Sequence, residues 1–109
     1  MVSQSRSGAV GISSGATLNI GIGESTGAKI TSGSCNVILG TRSGCEITTG
    51  YYNTILGYNG LRQLTSGYSN VAIGVKPGRN QVSGTANIYM GTNAGLGKTD
   101  GQCNIEIGA

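Results

Sequence analysis

One residue recurs at a fixed interval along this chain, and that interval constrains the fold more tightly than any other feature. Asparagine stands at Asn19, Asn36, Asn53, Asn70, Asn87 and Asn104, every seventeenth position without insertion or gap. Four residues after each comes a glycine: Gly23, Gly40, Gly57, Gly74, Gly91 and Gly108. A large aliphatic or methionine precedes that glycine, at Ile22, Leu39, Leu56, Ile73, Met90 and Ile107. Three residues before an asparagine lies a second glycine (Gly33, Gly50, Gly67, Gly84, Gly101), with Ala16 alone departing. A period of this length, kept over six copies, marks an array whose units stack and together bury a face that none can bury alone.

Within one repeat, the first and third residues after asparagine are apolar, as in Ile20 and Ile22, Val37 and Leu39, or Val71 and Ile73, with Thr54 the soft exception. That alternation predicts a strand, with these positions as its buried face. A second short strand is predicted upstream of the next asparagine, at Ala28-Lys29-Ile30-Thr31 and Cys45-Glu46-Ile47-Thr48. Turn segments separate them, such as Thr41-Arg42-Ser43-Gly44 and Val75-Lys76-Pro77-Gly78, where glycine supplies positive φ. Two strands and two turns make one coil. The predicted fold is all-β, a parallel β-solenoid (β-roll) of six 17-residue coils over residues 15–109, with residues 1–14 as an N-terminal attachment arm or cap. Coils stacked at ~4.8 Å would rise ~29 Å. The six asparagines would form a ladder of side-chain amides, Asn19 to Asn104, fixing the register. A second column runs through Ser14, Thr31, Thr48, Thr65, Val82 and Thr99.

The opposite strand face is partly apolar as well, through Ile38, Ile55, Ala72 and Tyr89, two residues after their asparagines. A strand apolar on both faces is normally buried on both. With a thin coil interior, the second cover is expected from copies of the same chain packed around a shared axis, so these four residues are the expected interface of a homotrimer. Gly21 and Glu106 stand in the same column, so this contact is expected to weaken at its two ends.

Segments such as Ser66-Gly67-Tyr68-Ser69-Asn70-Val71-Ala72-Ile73-Gly74 and Gly50-Tyr51-Tyr52-Asn53-Thr54-Ile55-Leu56-Gly57-Tyr58-Asn59 resemble the SGxxNxAIGxxA repeats. Such repeats occur in YadA-like heads of trimeric autotransporter adhesins and in fibres and spikes of tailed bacteriophages. The resemblance covers nearly the whole chain, from about Gly15 to Ala109. It implies a trimeric left-handed parallel β-roll. The sequence shows no signal-peptide h-region, coiled-coil stalk or membrane-anchor segment, which favours a virion component over a bacterial adhesin. The function this implies is that of a phage structural protein assembled in the host cytoplasm, either a capsid decoration (cement) protein or a short fibre. Its partners would be itself and the major capsid protein or another virion protein. A receptor-binding fibre segment that recognises host-surface glycan is the alternative.

Chemistry has little to work with. Histidine is absent, and the carboxylates Glu24, Glu46, Asp100 and Glu106 are not placed as an acid–base pair, so no catalytic residue is expected. The glycines around Gly21 and Gly23 precede no helix pattern, so no phosphate loop is implied. Cys35 and Cys103 share a column but lie four coils apart, ~19 Å at the strand spacing, too far for a disulfide. Cys45 lies elsewhere, and no spacing suits zinc, so neither metal nor cofactor is expected. The seven basic residues are scattered singly against four acidic ones, which gives no nucleic-acid footprint. No apolar run approaches a membrane span. Tyr51, Tyr52, Tyr58 and Tyr68 are the candidate partner-binding residues, because clustered exposed tyrosines stack on sugars or anchor protein contacts. An ice-binding role is a weaker reading, since there is one threonine column without a second beside it.

Overall fold

The computed structural model describes residues 10–12, 19–97 and 99–108. Six strands stack in parallel, one per repeat: β2 (Ile20–Ile22), β3 (Val37–Leu39), β4 (Thr54–Tyr58), β5 (Val71–Val75), β6 (Ile88–Met90) and β7 (Ile105–Ile107). Each residue pairs with its equivalent one repeat on, Ile20 with Val37, Ile38 with Ile55 and Ala72 with Tyr89. The sheet thus winds as the expected parallel β-solenoid, through about five turns where six coils were expected. β1 (Val10–Ile12) pairs antiparallel with β2, Val10 opposite Ile22. Apart from this strand, the arm expected at residues 1–14 lies outside the described residues, as do Ala16 and Lys98.

The asparagine ladder runs through the interior. Asn36 donates from Nδ2 to Asn19 Oδ1 at 2.8 Å and to Gly50 O at 2.9 Å, and its backbone N–H also reaches Asn19 Oδ1. The same three bonds recur at Asn53, Asn70 and Asn87. Each of these four amides therefore bonds the coil before it and closes its own coil onto a glycine carbonyl fourteen residues on. That carbonyl explains the second glycine column: a Cβ on Gly50 or Gly67 would meet the carbonyl oxygen of Gly67 or Gly84 at 2.5 Å. Chain and ladder are locked at one spacing.

The faces of the sheet are interchanged relative to the expectation. Ile38, Ile55, Ala72 and Tyr89, expected at the trimer interface, are fully buried inside the single coil. The first and third positions, expected inside, face out: Ile20 and Val37 are 40% and 37% exposed. The phase follows from the ladder. Asn side chains point inward to reach the glycine carbonyls, and on a strand of period two the residue two further on must point inward with them.

The interior is completed from the far side of the coil by Ile30, Ile47 and Leu64, and by Leu61 and Ala94. The second strand expected at Ala28–Thr31 and Cys45–Thr48 does not form. Gly27 and Gly44, with φ of 55° and 56°, turn the chain at its start, and Ala28, Lys29, Cys45 and Glu46 lie within turns. The coils are joined there by separate bonds, such as Thr31 N to Thr48 O and Thr48 N to Thr65 O at 2.9 and 3.0 Å. Single bridges also link Tyr51, Tyr68, Thr85 and Gln102.

Candidate functional site

Two surfaces arise from this winding, and both use outward positions that the ladder sets. The first is the outer face of β2–β7. Its two columns carry Ile20, Val37, Thr54, Val71, Ile88 and Ile105, then Ile22, Leu39, Leu56, Ile73, Met90 and Ile107. There is one hydroxyl among twelve side chains and no charge, over a flat area of about 24 by 7 Å at ordinary strand dimensions. Exposure is greatest on β7, where Ile105 and Ile107 are 71% and 72% exposed.

The second surface lies where the chain approaches the asparagine from the other side. Glycines 33, 50, 67, 84 and 101 direct their missing side chains inward, so the residues flanking them point out. Tyr51 and Tyr68 are stacked, with ring centroids 4.6 Å apart and planes 4° apart. Tyr52 meets the edge of Tyr51 at 5.3 Å and 77° and is 58% exposed. Three of the four expected tyrosines are thus brought together. Tyr58 is not among them: it ends β4, opposite Val75, about 13 Å along the strand from its start.

Beside Tyr68 opens a groove of about 460 Å³. Its floor is Gly67, Gly84 and Gly101. On one side stand Ser66, Ser83 and Asp100, and on the other Tyr68, Thr85 and Gln102. Among the described residues, the side chains of Ser83, Thr85, Asp100 and Gln102 make no hydrogen bond to the protein. The threonine column differs: Thr31, Thr48 and Thr65 donate their hydroxyls to the next coil's carbonyls at 3.2 to 3.4 Å.

The remaining polar groups serve the fold. Lys29 Nζ meets Glu46 Oε1 at 3.0 Å on an exposed edge. Cys35, Cys45 and Cys103 are free thiols, and burial pushes the Cys45 thiol up from its ordinary value. Among the described residues no group of His, Cys, Asp or Glu could hold a metal ion, and no helix is long and apolar enough to cross a membrane.

Sequence reasoning missed one buried pair. Tyr89 Oη donates to Gln81 Oε1 at 2.6 Å inside the coil, while Gln81 Nε2 is buried without a partner. The signal was available: Gln81 breaks the column Ile30, Ile47, Leu64 in the same coil stack where Tyr89 breaks the aliphatic column. It also missed Glu106, whose carboxylate accepts the Gly95 N–H at 2.6 Å and closes the interior with a polar group.

No family model, curated protein or solved structure matches the chain.

Proposed function

We propose that the chain is a non-enzymatic structural module that self-associates as a homotrimer through the outer face of β2–β7 and serves as a phage virion protein, a capsid decoration protein or short fibre. One observation carries the self-association: the outer face, with eleven apolar side chains among twelve and no charge, half-buried over β4–β6 and exposed at Ile20, Val37, Ile105 and Ile107, on a coil whose interior is already filled by its own Ile38, Ile55, Ala72 and Tyr89. A second copy is its natural cover, because only an identical chain repeats the same aliphatic columns at the same spacing. The virion assignment is supported by the likeness of the repeats to those of phage fibres and adhesin heads. Its partners are then other copies and the capsid protein or another virion protein. Light scattering tests the first step. A species of about 33 kDa, three times the 10.9 kDa chain, is expected, and Ile73→Asp in the centre of the face should reduce it to a monomer that keeps its β-sheet circular dichroism. A wild-type monomer would defeat the assembly. Mass spectrometry of purified phage particles then tests the location.

A second reading is favoured by the stacked tyrosines beside an open polar groove: a fibre segment that recognises host-surface glycan. Binding of the isolated protein to host cells would distinguish it from a decoration protein that binds only the capsid.

A further inference from the structure

The Tyr51–Tyr68 stack ends where the groove begins. The two rings belong to adjacent coils joined by the Tyr51–Tyr68 bridge, and their 4.6 Å separation matches the strand spacing, so the stack runs along the solenoid axis. One face of Tyr68 lies on Tyr51. The other looks toward the next coil, where the same column holds Thr85 and then Gln102, held in register by single bridges. No ring continues the stack, and the space it would take is the groove. The floor beneath is Gly67, Gly84 and Gly101, which carry no side chain.

We propose that this vacancy binds a pyranose ring of an uncharged glycan, seated flat on the free face of Tyr68 as the next member of the stack. This rests on the glycan-recognition reading above. A pyranose presents an apolar C–H face to an aromatic ring and a rim of hydroxyls that both donate and accept. The rim meets matching groups: the Ser83 and Thr85 hydroxyls, the Gln102 amide and the Asp100 carboxylate, none of them engaged elsewhere among the described residues. Among the described residues no Lys or Arg lines the groove and Asp100 does, so a phosphate finds repulsion there. A wholly apolar ligand would leave the polar walls without partners.

The full chain is titrated with a panel of soluble oligosaccharides of neutral hexoses and N-acetylhexosamines. Binding is read by tyrosine emission, which no tryptophan obscures, and by saturation-transfer NMR from aromatic protons to sugar C–H groups. At least one oligosaccharide should bind, with Tyr68→Ala weakening it about tenfold or more. Thr85→Tyr, which completes the stack with a protein ring, should abolish binding while leaving the melting temperature and the mass in solution unchanged. A panel with no binder overturns the proposal, and so does binding that survives both substitutions. Adenosine bound at Tyr68 in place of any sugar would overturn it too, assigning the vacancy to aromatic bases. Light scattering separates this from the assembly: a trimer that binds no sugar removes the glycan site and leaves the trimer standing.

Discussion

Each interior asparagine makes bonds in three directions, so its removal has a calculable sense. Asn53→Ala takes away the acceptor for the Asn70 N–H and Nδ2, the donor to Asn36 Oδ1, and the donor to Gly67 O. Asn36 Oδ1 keeps the Asn53 N–H and Asn70 Nδ2 keeps Gly84 O, but the Asn70 N–H and Gly67 O are left unsatisfied, and at 1–3 kcal/mol for each the expected loss is about 2–6 kcal/mol. Asn104→Ala should cost far less, because Asn104 is half-buried on the last coil and among the described residues accepts nothing from a following rung. Urea denaturation of the pair checks this, and equal losses would deny the ladder its cumulative role. Backbone strain sits at other residues. Two columns of non-glycine residues hold φ between 55° and 61°, among them Arg42, Lys76, Cys35 and Ser69. A left-handed residue with a Cβ costs about 1–2 kcal/mol, more than the chain entropy glycine adds. Ser69→Gly, at an exposed corner, should therefore stabilise the chain by up to about 1 kcal/mol, whereas Ser69→Val should destabilise it. The converse holds at Gly57, with φ of 131° and its Cβ position blocked by the Gly74 carbonyl, where alanine is expected to disrupt the coil.

At the scale of the strand and the coil, the period made the stacking, the register and the ladder legible, since all three follow from translation by seventeen residues. The phase of the strand was not, because hydropathy is nearly equal on both faces: Val37 and Leu39 against Ile38, or Ile88 and Met90 against Tyr89. Alternation alone cannot choose between such faces. The choice lay in the buried asparagine, whose side-chain direction sets that of the residue two further on. The second strand was misread for a related reason: Ile30 and Ile47 are buried as a strand residue would be, but Gly27 and Gly44 bend the backbone before pairing can extend. Interior exchanges across coils were also obscure. Leu61 occupies a column of glycines, fully buried, above the coil in which Ala72 leaves space, and Gly60 before it replaces a side chain. The Tyr89–Gln81 bond is the polar counterpart. Tyr89→Phe leaves Gln81 Oε1 without a donor and is expected to cost about 1–2 kcal/mol, and adding Gln81→Leu should restore most of it, because both polar partners are then gone. Burial, and then the Glu106 carboxylate, raise the Tyr89 phenol above its ordinary value of 10.0. The folded state therefore holds this proton more tightly than the unfolded chain. Its contribution is complete below pH 10 and is lost as pH rises through the folded value. A stability profile from pH 8 to 12 should fall more steeply for the wild type than for Tyr89→Phe.

Across the whole molecule the stack behaves as a one-dimensional array, in which a coil is held only by the coils above and below it. The interior thins toward its ends. Ile55 and Tyr89 are fully enclosed, while the equivalent of Tyr89 on β7 is Glu106, half-buried, with Ile105 and Ile107 largely in water. β4 and β5 are also the longest strands, paired over five residues from Thr54–Val71 to Tyr58–Val75. Opening free energies should therefore peak at these two strands and fall along the axis, instead of being uniform as in a domain that opens only globally. Native-state hydrogen exchange reads this directly. The Thr54 and Val71 amides, bonded to Asn70 O and Asn87 O at 2.8 Å, are expected to exchange slowest, and the Cys103 and Gly108 amides, bonded to Thr85 O and Met90 O, fastest among those in cross-coil bonds. Assembly would change the profile in a defined way. Covering the outer face of β2–β7 removes water from every strand, so dilution below the trimer's dissociation should raise exchange most in β7, where the face is most exposed, and least in the enclosed asparagine ladder. A gradient that ignores concentration would mean that the aliphatic face is not covered by a second copy of this chain.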